Sequence, residues 1–241
     1  MDHQNDVVTL AAIEDEITAS FGYLINSMME ALDLSLQIFK RNFSDTKRAY
    51  DFLKDPAISL RIFQTENKAA LQLYLIEVYR TFFNFEASAA SLVDHSRAFI
   101  NKYEEKNAAF YHAYQDKVEA DFLNNPLAKF VKDIRNYVVH KGYPVMDLSF
   151  PLVGNRVHEY LLNSSSLLEW DSWTSKAREY IKSQGEVVRL YSVIEEYFQL
   201  VDSFYTWMFT NLKEIHTKYF FDVNALISKR NEFLELKSRK G

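Results

Sequence analysis

From Thr65 to about Tyr103 the apolar residues recur at helical spacing, and this stretch sets the scale of anything the chain can fold into. A helix of about 39 residues spans about 58 Å, so the domain must be built around long helices. The middle of the stretch, Leu71 to Phe85, is apolar on nearly every side, which predicts the centre of a bundle. A bend is expected near Ser88 to Ser91. The rest of the chain agrees. Gly (5) and Pro (4) are scarce, while 48% of residues are hydrophobic and 15% aromatic, a balance that favours helices over a turn-rich β fold. Helical spacing also covers residues 8–40, through Ile13, Ile17, Phe21, Leu24, Ile25, Met28, Met29 and Leu32. Further helices are expected at Asp45–Lys54, 107–122, 126–141, about 172–184, 186–220 and after Asp222. The Tyr and Phe stripe that follows Val187 reads as core.

Residues 145–163 change period. Met146, Leu148, Phe150 and Leu152 alternate with Asp147, Ser149 and Pro151, and Val157, Glu159 and Leu161 alternate with His158, Tyr160 and Leu162. Gly154-Asn155 lies between the two runs, so the segment predicts a β-hairpin. Pro151 cannot donate to a ladder and marks the first strand as an edge. No repeat or flexible linker divides the chain. The expected fold class is all-α, a single domain over residues 1–241: a long-helix bundle with one inserted β-hairpin at about 145–163.

Several chemistries are excluded or disfavoured. There is no cysteine, so no disulfide and no thiolate catalysis. No run of about 18 apolar residues is present and Met1 to Asp6 lacks the start of a signal peptide, which leads to the expectation of a cytoplasmic protein with no membrane partner. No Glu-x-x-His, His-x3-His or Asp-x-Asp spacing occurs and no Gly-rich phosphate loop, so neither a metal nor a cofactor is expected. Of the other histidines, His95 has no partner at ligand spacing, His112 reads as a packed aromatic, His158 alternates within the hairpin, and His216 lies on a helix flank. The net charge of −5 argues against broad polyanion binding. Residues 129–141 nevertheless hold Lys129, Lys132, Arg135 and Lys141 against Asp133 alone, so any nucleic acid should dock at one place.

That place is the helix at 126–141. Asn125 suits the N-cap and Pro126 the first helical position, Gly142 is a natural left-handed stop, and Pro144 blocks continuation. At 100° per residue, Leu127, Phe130, Val131, Ile134, Tyr137 and Val138 form one apolar face. Lys129, Lys132, Asp133, Asn136 and His140 cluster within about 60° of Asn136, with Arg135 at the rim beside Ala128 and Val139. An arginine, an amide and an imidazole form a set suited to binding or cutting a phosphodiester. Arg135 and His140 are about 140° apart around the helix and would not bond each other on one straight helix. A second copy across a twofold axis would bring them close, so a homodimer is expected.

Phe130-x4-Arg135-Asn136-x3-His140, on the C-terminal half of a bundle helix, resembles the R-x4-6-H motif of the HEPN superfamily (higher eukaryotes and prokaryotes nucleotide-binding domains). The resemblance implies a dimeric helical bundle. It also implies a metal-independent endoribonuclease of the toxin, abortive-infection or phage-defence type, with a cognate antitoxin protein, or else a relative that binds RNA or a nucleotide without cutting. By position it makes Arg135, Asn136 and His140 the active-site residues, with Lys129, Lys132 and Lys141 as RNA contacts. In the implied reaction an RNA 2′-hydroxyl attacks the adjacent phosphorus, His140 moves the proton near neutral pH, and Arg135 bonds the transition-state charge. One position departs: the nucleotidyltransferase-paired branch carries Tyr two places after the His, where this chain has Gly142.

The same residues also allow a structural reading. His140 and Lys141 in the last turn oppose the helix dipole, and Arg135 could pair with a neighbouring helix. The chain would then be a helical scaffold whose 126–141 face only joins subunits or a partner protein.

Overall fold

The computed structural model describes residues 2–104, 107–149 and 159–239. Its helices are α1 (Asp2–Ala19), α2 (Phe21–Asp51), α3 (Pro56–Ile62), α4 (Lys68–Phe99), α5 (Ala108–Val118) and α6 (Pro126–His140), then, after two strands, α7 (Ser164–Leu168) and α8 (Ser175–Ser183), and, after a third, α9 (Leu190–Ile215) and α10 (Thr217–Ser238). The strands are β1 (Met146–Ser149), β2 (Glu159–Asn163) and β3 (Val187–Arg189).

α2 and α4 form the spine. Their buried residues, Ile25, Met29, Leu32, Leu36, Phe39 on one and Tyr74, Val78, Phe82, Phe85, Ala89, Leu92 on the other, step by three and four, the spacing of a continuous helix–helix seam. Bonds across the seam run in opposite order along the two helices. Ser35 Oγ lies 2.8 Å from His95 Nδ1, Thr46 donates to the Thr81 carbonyl (2.9 Å), and Tyr74 donates to the Ala49 carbonyl (3.0 Å). The pair is therefore antiparallel. α9 closes the bundle, with Phe198 stacked on Phe39 and Phe43 and Tyr197 edge-on to Phe85.

Several boundaries differ from the sequence expectation. The predicted helix at 8–40 is two helices divided at Ser20, whose hydroxyl caps α2 by accepting from Tyr23 N. α2 then runs to Asp51, so no separate helix begins at Asp45. α4 continues through Ser88 and Ser91, whose hydroxyls bond back to the Phe85 and Ala87 carbonyls, and its irregular turn is a π segment at Ile100–Glu104. The stretch from Leu71 to Phe85 is not covered all round: Leu73 is 68% exposed and Ile76 57%. The predicted helix at 186–220 begins with β3 and breaks at His216, where α10 starts. His216 Nε2 lies 2.6 Å from the Glu104 carboxylate, both buried, which ties that break to the end of the α4 segment.

The predicted hairpin is present in its described part, with Met146 opposite Leu162 and Ser149 opposite Glu159. Pro151, Gly154-Asn155 and His158 lie outside the described residues. β3 adds a third antiparallel strand, Leu162 opposite Val188. This pairing is long-range and leaves no local signature beyond two β-branched residues. Tyr160, Leu162 and Val188 are buried, so the sheet is part of the core. Tyr160 sets its hydroxyl beside that of Tyr74 and 3.1 Å from the Tyr50 carbonyl, pinning the sheet to α2 and α4.

α1 and α10 pack together through Ile13, Ile17 and Val223, a small cluster apart from the main core. α10 also crosses the start of α2 at Gly22, where an added Cβ would stand 2.2 Å from the Tyr219 carbonyl oxygen. Backbone cannot yield as a flexible side chain does. Gly22→Ala is therefore expected to push α10 off α2, costing about 1–3 kcal/mol. Faster amide exchange in α10 with little change in α6 would show it; unchanged exchange in α10 would refute the close crossing.

A cationic cleft between α4 and α6

α6 owes its position to both ends and to its buried face. The Asn125 carboxamide accepts from Leu127 N (3.0 Å) and Ala128 N (3.3 Å), Pro126 opens the helix, and Gly142 leaves it at φ 113° with its N–H on the Tyr137 carbonyl (3.2 Å). Phe130 and Tyr137 insert among the aromatic rings of Trp173, Tyr180 and Trp170, with centroids 5.1–5.7 Å apart. Asp133 follows them inward. It is 3% exposed and accepts from Thr174 N (2.8 Å) at the start of α8, so it does not belong to the exposed polar face where helical spacing assigned it.

The opposite side of α6 lines a cleft of about 600 Å³, with Lys129, Lys132, Arg135 and Asn136 on one wall. α4 supplies the facing wall, including Glu86, Asp94 and Arg97; α5 adds Tyr111 and Tyr114, and α9 adds Tyr197, Phe204 and Tyr205. Asp94 pairs with Arg97 (3.2 Å). Arg135 is exposed and forms no ion pair among the described residues, so it does not bridge to a neighbouring helix. With Asp133 turned away, the uncompensated charge of this wall is the two lysines and Arg135.

The structure brings together four of the six residues singled out from the sequence. His140 and Lys141 are not among those lining the cleft. His140 continues the stripe of Lys132 and Asn136 one turn further, about 6 Å along the axis, and is exposed at the end of α6. Lys141 is exposed and holds its ammonium 5.4 Å from the centre of the Tyr137 ring. His112 is exposed rather than packed. Val139, Tyr143 and Val145 beside His140 are also exposed (58%, 54% and 76%). Tyr79 binds this loop to α4, donating to the Pro144 carbonyl (2.7 Å) with its ring 5.0 Å from Tyr143. Tyr79 follows Ile76 by one turn, so the bare face of α4 adjoins the bare end of α6.

Sequence reading missed Glu86. It is 2% exposed, and neither carboxyl oxygen has a hydrogen-bond partner among the described residues. Burial pushes its pKa well above the usual carboxylate range, with the Arg135 guanidinium pulling the other way. Leaving a buried polar group unpaired costs about 1–3 kcal/mol. Its signal in the sequence was phase: Glu86 stands four after Phe82 and three before Ala89, in step with the buried seam of α4. Burial likewise raises the pKa of the Tyr197 hydroxyl, which feels the Glu86 carboxyl, and of the Tyr205 hydroxyl further along the cleft.

The raised Glu86 pKa has a consequence for stability. The unfolded chain ionises this carboxyl in the ordinary range near 4.5, while the folded chain keeps its proton to higher pH. Stability is therefore lost as pH rises above that range, by up to about 1.4 kcal/mol per pH unit until the folded group itself titrates. Glu86→Gln is expected to remove this slope. Its melting temperature should gain on wild type as pH is raised from about 4.5, at roughly 2–4 °C per kcal/mol. A constant difference as pH rises would show that Glu86 is ionised in the fold.

Among the described residues no group of three or more His, Asp or Glu is placed to hold a metal ion, and no helix is long and apolar enough to cross a membrane. Comparison with protein-family models, with curated proteins and with solved structures finds no match in any of the three.

Proposed function

We propose that this chain is a HEPN-like, metal-independent endoribonuclease that acts as a homodimer. The observation that carries the reading is the uncompensated cationic wall of Lys129, Lys132 and Arg135, with Asn136 beside them, in a protein whose net charge is −5. Such a wall attracts a polyanion locally where the molecule as a whole does not. The adjoining exposed residues Leu73, Ile76, Val139, Tyr143 and Val145 support the dimer, since a second copy would remove them from water. His140 stands at their edge and would approach the cleft of the partner copy.

In this reading the substrate supplies the nucleophile. The 2′-oxygen bonds to phosphorus as the 5′-oxygen leaves, giving a 2′,3′-cyclic phosphate and a 5′-hydroxyl. The partner's His140 takes the proton from the 2′-hydroxyl and returns it to the leaving oxygen. Arg135 donates to the non-bridging oxygens, and Asn136 orients the phosphate. The HEPN resemblance extends the proposal to a cytoplasmic toxin or phage-defence setting with a cognate antitoxin protein.

A second reading, binding of RNA or a nucleotide without cleavage, is favoured by one observation: His140 is not among the residues lining the cleft. Mixed RNA incubated with the protein in EDTA separates the two. Cleavage leaving cyclic-phosphate ends, reduced by at least about 100-fold in Arg135→Ala and in His140→Ala, is the expected result. Binding without cleavage, weakened by Arg135→Ala, selects the second reading. Neither activity would leave a structural interaction protein.

A further inference from the structure

We propose that the cleft is a pocket for a single nucleotide, its base turned inward against Glu86 and its phosphate held at the mouth by Arg135 and the two lysines. The inference rests on the RNA reading above for its biological ligand, but it concerns a different act, recognition of one base, and a residue outside the Arg-Asn-His set.

Three observations converge on it. The first is volume: about 600 Å³ is the size of a site for one small organic ligand. The second is polarity. Cations stand on the α6 wall, while the interior is lined by rings from α5 and α9, among them Tyr111, Tyr114 and Phe204. A nucleotide divides in the same way, into an anion and a flat aromatic base that stacks on such rings. The third is Glu86, a fully buried carboxyl among the lining residues with both oxygens unpartnered. In its protonated form, which burial favours, it offers an O–H donor and a carbonyl acceptor side by side. Every standard nucleobase carries an edge with a donor next to an acceptor, so one base can satisfy both oxygens at once. A phosphate or other bare anion has no flat face for the rings, and a sugar lacks the aromatic plane that would stack on them.

The test is calorimetric titration of the full-length protein with AMP, using ribose 5-phosphate and purine riboside monophosphate, which lacks the exocyclic donor, as controls. AMP should bind, with both controls weaker by at least about tenfold. Glu86→Gln keeps a donor beside an acceptor in the same shape and should bind AMP within a few fold of wild type. Glu86→Leu should bind it at least about tenfold more weakly while melting at or above the wild-type temperature. Equal binding of AMP and ribose 5-phosphate would overturn the proposal, as would unchanged AMP affinity in Glu86→Leu or no binding of AMP at all. The two readings fail separately. A protein that binds AMP through Glu86 but cuts no RNA keeps the pocket and loses the nuclease. One that cuts RNA while AMP ignores Glu86 keeps the nuclease and loses the pocket.

Discussion

Arg135→Ala and His140→Ala proteins, mixed in equal amounts and allowed to exchange subunits, are expected to cleave RNA at about a quarter of the wild-type rate, although each alone is nearly inactive. The expectation follows from where the two side chains sit. They are about 140° apart around α6 and separated by about 7.5 Å along it. Arg135 lines the cleft, whereas His140 is exposed beyond it, next to Val139, Tyr143 and Val145. On the proposed twofold arrangement each site takes Arg135 from one copy and His140 from the other. A mixed pair then has one site with both groups and one with neither, and random exchange makes about half of the pairs mixed. If mixing restores nothing while both variants still dimerise, the two groups serve within one chain. If wild type is a monomer at assay concentration, the shared site is refuted outright.

Phe130→Ala should be the most damaging single change to the fold near the cleft. Phe130 is fully buried and stacks on Trp173 and Tyr180, and these contacts hold α6 against α8. Truncating a buried phenylalanine costs roughly 3–5 kcal/mol, the lost transfer energy plus the cavity left behind. For a chain of this size that lowers the melting temperature by on the order of 10 °C. The effect should reach the cleft, because Lys129, Lys132, Arg135 and Asn136 stand on the opposite side of the same helix. Amide exchange in α6 should quicken and AMP affinity should fall with it. A melting point within about 2 °C of wild type would mean that something other than this aromatic stack positions the helix.

The features that were legible in advance have local causes. α6 could be placed because Asn125-Pro126 and Gly142 act on backbone groups within a few residues of themselves, and its two faces follow from the period of the side chains. The hairpin was visible for the same reason, as a change of period from near four to two. Where a local signal was thin, the reading slipped. The division at Ser20 rests on one capping hydroxyl, and the break at His216 on a residue with φ −101° and ψ 7° whose imidazole meets Glu104, over a hundred positions earlier in the chain. β3 exists because residues 161–163 offer it an edge, which three residues cannot announce alone.

Helical periodicity, capping chemistry and charge were thus enough for an all-α bundle with a hairpin and for a helix bearing Arg135, Asn136 and His140, because each acts over a turn or two of chain. The cleft is a matter of convergence. It needs α4, α5 and α9 to arrive beside α6, and no spacing within α6 encodes that. Packing turned Asp133 toward Thr174, carried Glu86 into the interior without a partner, left Leu73 and Ile76 bare, and set His140 outside the pocket. A side chain's own helix says which way it points, and the neighbours that only folding supplies say what it meets.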